Sequence, residues 1–119
     1  RTASVTGGYV ALALALQELI DAEAIPAGAL LEPVAAVSVG LVDGRPLLDL
    51  DYGEDSTAEA DFNVVMTRDD RIVEVQGTAE GVPFAREALE DLLDLARQGI
   101  EQLSAIQQRV LRRAAGGAR

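Results

Sequence analysis

Two short turn signals divide the middle of this chain into paired segments with a repeat of two. Val34–Val42 alternates larger apolar residues (Val37, Val39, Leu41) with small ones (Ala36, Ser38, Gly40), the pattern of a strand packed on one face and crowded on the other. Asp43-Gly44 is a hairpin turn signal, and Pro46–Leu50 returns as the partner strand. Phe62–Thr67 and Ile72–Thr78 form a second pair, joined by the polar turn Arg68-Asp69-Asp70-Arg71. Two consecutive hairpins commit this region to a sheet.

Helical sequence flanks it. Residues from about Thr2 to Glu23 lack Pro and are rich in Ala and Leu, which predicts a helix apolar on nearly all sides, one that must be buried from several directions. Gly7 and Gly8 would each cost about 1 kcal/mol in its interior, so tight packing or a close ligand is expected near its first turns. Ala24–Pro33 reads as a loop. Pro83 suits a first helical position, and Ala85, Leu89, Leu92, Leu93 and Ala96 follow at helical spacing up to Gly99, which suits a cap. Ile100, Leu103, Ile106, Val110 and Leu111 keep the period in a second helix that ends before an Arg112–Arg119 tail. The expected class is therefore α+β: a helix, two hairpins forming one sheet, and two C-terminal helices packed on it. At 119 residues this is one domain or a piece of one, with residues 1–111 structured and 112–119 a flexible tail.

Composition narrows the chemistry. With no Cys and no His, zinc sites built on those ligands, Cys nucleophiles and Ser-His-Asp triads are excluded within the chain. Twenty acidic residues against ten basic ones, all of them Arg, give a net charge of −10. Such a surface repels phosphate backbones, so the chain alone is not expected to grip nucleic acid by a basic patch. The apolar stretch Val5–Ile20 is interrupted by Thr6, Gly7, Gly8, Gln17 and Glu18 and falls short of the roughly 20 residues of a bilayer span. No targeting segment is visible. The absence of Cys fits a reducing, cytoplasmic setting. The start at Arg1 rather than Met suggests the continuation of something longer.

Between Arg45 and Arg68 there is no basic residue, while Asp49, Asp51, Glu54, Asp55, Glu59 and Asp61 repel one another unless a cation or a partner's arginines offset them. An EF-hand started at Asp49 fails, because its turn-glycine position holds Glu54 and its terminal Glu position holds Ala60. A Mg²⁺ site remains open, since Mg²⁺ keeps several waters and uses one or two carboxylates with substrate phosphate oxygens. Asp55 and Asp61 converge if the intervening segment is a short turn. Equally, Asp55 suits an N-cap before Ser56-Thr57-Ala58-Glu59, and Asp61 a solvated strand start. The other four acids read as a solvated face.

The blocks Arg1-Thr2-Ala3-Ser4-Val5-Thr6-Gly7, Ala35-Ala36-Val37-Ser38-Val39-Gly40, Glu54-Asp55-Ser56, Asp61-Phe62-Asn63-Val64-Val65-Met66-Thr67 and Glu74-Val75-Gln76-Gly77-Thr78-Ala79-Glu80-Gly81 occur in order. Together they resemble the C-terminal half of the bacterial ribonuclease PH family. The resemblance implies a phosphate-dependent exoribonuclease and nucleotidyltransferase that trims transfer RNA precursor 3′ ends and releases nucleoside diphosphates. It also implies a homohexamer built as a trimer of dimers and kinship with polynucleotide phosphorylase and exosome ring subunits. By the same resemblance Arg1 closes a phosphate-binding motif, with Thr2 and Ser4 beside it, and Asp55 and Asp61 serve metal binding and acid catalysis. Asp61 as general acid and Asp55 as Mg²⁺ ligand is one division, open to exchange or to both serving the metal. Phe62 stands where Met is common, a volume-tolerant change. Read without the family, Arg1 is a solvated terminal residue and Gly77 a bulge or strand end.

Phosphorolysis suits these residue types. Inorganic phosphate attacks the last phosphodiester, so two anions approach, and an arginine fork with helix N-terminal amides near Thr2–Ser4 offsets one of them. Two other functions compete: a non-catalytic ring subunit of an exosome-like assembly, and a small acidic metal-binding module. Arg1, Asp55 and Asp61 favour the enzyme over the first, and the match along the chain argues against the second. The missing basic residues are expected from an upstream half of the same protein, without which the chain should be inactive.

Overall fold

The computed structural model describes residues 2–26, 28, 32–48 and 58–117, and for residues 2, 3 and 117 it describes the backbone alone. The elements run α1 (Thr2–Asp21), β1 (Val34–Val42), β2 (Arg45–Leu48), β3 (Ala60–Thr67), β4 (Ile72–Ala79) and α2 (Arg86–Gly117). All strand pairs are antiparallel, in the order β2-β1-β3-β4, so the two hairpins join through β1 and β3. The α+β arrangement is the one the sequence predicts. Asp49 and Leu50, at the end of the expected second strand, lie outside the described residues.

The turn chemistry explains the register. Asp43 and Gly44 both have positive φ, 52° and 75°, as a two-residue hairpin whose turn matches the strand twist requires. Glu59 closes that hairpin from an exposed position, its Oε1 accepting a hydrogen bond from Gly44 N at 3.1 Å. At the second turn Asp70 takes φ 67° while the Thr67 hydroxyl donates to Asp69 Oδ1 and accepts from Arg71 N. Helix α1 ends on Glu23 at φ 59°, with Ala24 N donating to Leu19 O and Glu23 N to Ile20 O. That pair of bonds makes a Schellman cap, here without the usual glycine.

Period two then builds the core. Ala35, Val37, Val39 and Leu41 of β1 and Ala60, Phe62, Val64 and Met66 of β3 meet Leu92, Ala96 and Ile100 of α2. Alternate strand residues point to the opposite face. The C-terminal layer is one helix, not two. Gly99 does not cap anything, because it is where α2 comes nearest the sheet: a Cβ there would lie 2.9 Å from both Leu48 methyls and 3.2 Å from Val37 Cγ1. The helix continues to Gly117 instead of ending at Leu111, and it begins at Arg86 rather than at Pro83. The residue that anchors its start is Phe84, whose ring meets Phe62 edge-on at 5.5 Å.

Helix α1 lies against β1 and α2. Tyr9 and Ala13 are buried, whereas Leu12 and Leu19 remain about half exposed. Gly7 and Gly8 are exposed, and a Cβ on either would meet nothing within 4 Å, so packing within the described residues does not account for them. The helix is tied to the sheet by an edge device. β2 pairs with β1 only from Val39 to Val42. Beyond that, Ala36 N donates to Thr6 Oγ1 at 3.1 Å, the Thr6 hydroxyl donates to Ala36 O at 3.4 Å, and Gln107 Nε2 donates to Val34 O at 2.9 Å. Helix side chains thus satisfy strand groups that would otherwise be buried without partners.

Candidate active site

On the sheet face turned away from α2, β3 presents Asp61, Asn63 and Val65. Asp61 is half-buried on this central strand, between Gly40 of β1 and Thr78 of β4 in register. A glycine on one side leaves room beside the carboxylate, and on the other the Thr78 hydroxyl donates to Glu80 Oε1 at 3.4 Å. The next row is Ser38, Asn63 and Gln76, with the Ser38 hydroxyl donating to Asn63 Oδ1 at 2.9 Å. The result is a polar stripe across three strands, on the back of an apolar core.

Ser38 and Asn63 were not among the expected site residues. The signal was present as alternation, since both occupy the same phase as Asp61, but each alone reads as an ordinary small or polar strand residue. Gly77 is neither a bulge nor a strand end. It sits in regular pairing opposite Phe62, whose ring covers it so closely that a Cβ would stand 2.4 Å from Phe62 Cδ2 and 2.5 Å from Asp61 O. The irregularity of this hairpin lies elsewhere, between Val65 and Met66.

The other expected site residues are placed unevenly. Thr2 opens α1, and Ser4 is exposed in its first turn, where N–H groups have no partner inside the helix and no acidic side chain competes for them. Thr6, one turn further, is bonded to Ala36 on the strand that carries Ser38 and Gly40, so the opening of α1 runs beside the strand next to Asp61. Arg1 and Asp55 lie outside the described residues, as do Asp49, Asp51, Glu54 and Ser56-Thr57. Among the described residues no three acidic side chains gather as a metal-ligand cluster. Asp61 therefore supplies one carboxylate oxygen donor, which fits a Mg²⁺ ion that takes one or two carboxylates and completes its shell with water and phosphate oxygens.

Comparison with known proteins adds the deciding observation: the profile of "3' exoribonuclease family, domain 2" matches residues 32–99, from the loop before β1 through the middle of α2. The chain belongs to the 3′ exoribonuclease family. Within this family it is 60% identical to ribonuclease PH of Moorella thermoacetica over 111 residues, covering 93% of this chain and 44% of the relative. It is 54% identical to ribonuclease PH of Synechococcus sp. CC9605 over 108 residues, covering 91% of this chain and 44% of the relative. A third, ribonuclease PH of Crocosphaera subtropica, is also 54% identical, with 96% of this chain and 48% of the relative covered. The chain thus spans less than half the length of these exoribonuclease relatives. The resemblance to the C-terminal half of ribonuclease PH, read from five sequence blocks, is borne out. Among the described residues no helix is long and apolar enough to cross a membrane.

Proposed function

We propose that this chain is part of a phosphate-dependent 3′-to-5′ exoribonuclease that trims transfer RNA precursor 3′ ends, and that the Asp61 face of the sheet contributes the acid of its active site. The observation that carries this reading is the position of Asp61. It is a half-buried carboxylate on a central strand, flanked by glycine and threonine and backed by a rigid core, on a family member that needs a proton donor at a departing oxygen.

In the reaction an oxygen of inorganic phosphate forms a bond to the phosphorus of the last phosphodiester, and the bond from that phosphorus to the 3′ oxygen of the penultimate nucleotide breaks. Asp61 delivers a proton to that oxygen, leaving a shortened RNA with a free 3′ hydroxyl and a nucleoside diphosphate. Arg1 and the first amides of α1, at Thr2 and Ser4, hold the attacking phosphate. Asp55 would hold Mg²⁺, which when bound offsets negative charge on the phosphate oxygens; in the exchanged division Asp61 would hold the ion and Asp55 would give the proton.

The rest of the enzyme comes from an upstream half of the same protein, and the assembly is a homohexamer arranged as a trimer of dimers. Leu12 and Leu19 of α1 and Ile106 and Val110 of α2, all more than 40% exposed, supply apolar surface for such covering. Residues 1–119 alone are accordingly inactive. The test is to supply RNA with a free 3′ end to the complete protein, with and without phosphate. Phosphate-dependent release of nucleoside diphosphates supports the enzyme, and RNA binding without any release supports a non-catalytic ring subunit.

A further inference from the structure

Where the turn after β3 meets the C-terminal part of α2, the surface folds into a cleft of about 420 Å³. Arg68 lines it from the turn, and Arg109 and Arg112, three positions apart and so neighbours on one helix face, line it from α2. Among the described residues none of these guanidinium groups forms an ion pair, although Arg71 pairs with Glu32 and Asp69, and Arg97 with Asp70. One carboxylate, Glu101, shares the lining with the three arginines. In a chain of net charge −10 this is a local reversal of sign.

A second observation points the same way. Ser104 lines the cleft, is 4% exposed, and its Oγ is buried with no hydrogen-bond partner among the described residues. A helical serine commonly returns its proton to the carbonyl one turn back, and this one does not. Buried polar groups are nearly always paired, so a hydroxyl and three guanidiniums that find no acceptor or ion pair among the described residues mark a place for an acceptor from outside the chain. Gln108, half-buried in the same lining, offers a further donor.

We propose that this cleft binds a phosphate oxyanion, and that in the working protein the oxyanion is a backbone phosphate of the RNA strand. This rests on the exoribonuclease reading. Arg68 stands seven positions beyond Asp61 along the run of β3, about 23 Å at ~3.3 Å per residue, so the cleft holds the strand well away from the bond being broken. It binds and takes no part in the chemistry. Fork-shaped guanidiniums suit a phosphodiester, and they account for how an acidic chain meets a polyanion.

The experiment measures binding to the complete protein as wild type, as the double variant Arg109→Gln/Arg112→Gln, and as Ser104→Ala. The probes are single-stranded RNA oligonucleotides of graded length, inorganic phosphate and a nucleoside diphosphate. The double variant is expected to bind long oligonucleotides at least about fivefold more weakly. Its slope of log affinity against log salt should be shallower by about 0.7, the loss of one phosphate contact on a single strand. The shortest oligonucleotides should bind as to wild type. Ser104→Ala should show the same dependence on length without loss of thermal stability, because it removes an unpaired group. If free phosphate or the nucleoside diphosphate loses affinity while RNA of every length keeps it, the oxyanion site stands and its assignment to the RNA strand is overturned. Unchanged affinity for every probe in both variants overturns the site itself. These are binding measurements, so they stand apart from a failure of the exoribonuclease reading, which would show as phosphorolysis that is absent or indifferent to Asp61.

Discussion

The side-chain amide of Gln107 donates a hydrogen bond to the backbone carbonyl of Thr6, 3.0 Å away and 101 positions earlier in the chain. The same nitrogen donates to Val34 O, so α2, α1 and the start of β1 meet at one carboxamide that is 1% exposed. Among the described residues its Oε1 has no partner, so the two donated bonds are what this side chain contributes to the junction.

Gln107→Ala removes both bonds and opens a void, and is expected to cost about 2–4 kcal/mol in the complete protein, read by denaturant unfolding. Gln107→Leu refills the volume without restoring the donor and should cost less. Equal costs for the two variants would show that the void contributes nothing and that the lost hydrogen bonds carry the whole effect.

Gly77→Ala should be destabilising by about 1–3 kcal/mol, because its Cβ would press on the Phe62 ring and on the fixed backbone oxygen of Asp61. It should also displace Asp61 and slow turnover beyond what lost stability explains. A variant as stable and as active as wild type would show that β4 can yield there.

Replacing Glu23 by glycine is expected to stabilise the protein by about 0.5–1 kcal/mol, since a residue with a Cβ now occupies the left-handed position of the helix cap. A rise in the thermal midpoint is the readout, and a fall would contradict the account.

Burial raises the Tyr9 phenol above its ordinary value, with the Arg68 charge opposing in part. A phenol raised in the folded state adds stability that is fully present below its unfolded value of about 10 and is lost as pH rises through the folded value. With no Lys, Cys or His in the chain, no side chain has an ordinary pKa between those of the carboxylates and tyrosine. Thermal unfolding of residues 1–119 should therefore give a nearly level midpoint from about pH 7 to 9 and a decline above about 10. Tyr9→Phe should soften that decline, and an identical decline in the variant would assign it elsewhere.

Asp61→Asn should abolish phosphate-dependent RNA shortening while leaving the fold nearly unchanged, because the amide keeps the volume and loses the transferable proton. Wild-type turnover in this variant of the complete protein would remove Asp61 from the reaction.

Much of this architecture was written in local pattern. The four strands and both turns were legible because alternation and turn residues act over a few positions, and Asp43-Gly44 adopts the dihedrals that its chemistry favours. Gly99 was misread because glycine at a helix end and glycine under a close helix–sheet contact look alike along the chain, and only Leu48 and Val37, far away in sequence, distinguish them. Gly77 was misread for the same reason, through Phe62. At the candidate site, Asp61 stood out as a charge entering a strand, whereas Ser38 and Asn63 became visible only when register placed them beside it. The link from Thr6 to Gln107 had no signal at all in a sequence separation so large.

Because α2 passes through Gly99 without a break, its two ends are not free to pivot about that point. The helix is instead a ruler. Leu92, clamped in the core, and Arg109, beside the cleft, are separated by a length fixed by helical pitch, about 25 Å at ~1.5 Å per residue. Whatever the arginines hold is therefore held at a set distance from the sheet that carries Asp61, measured out by the backbone.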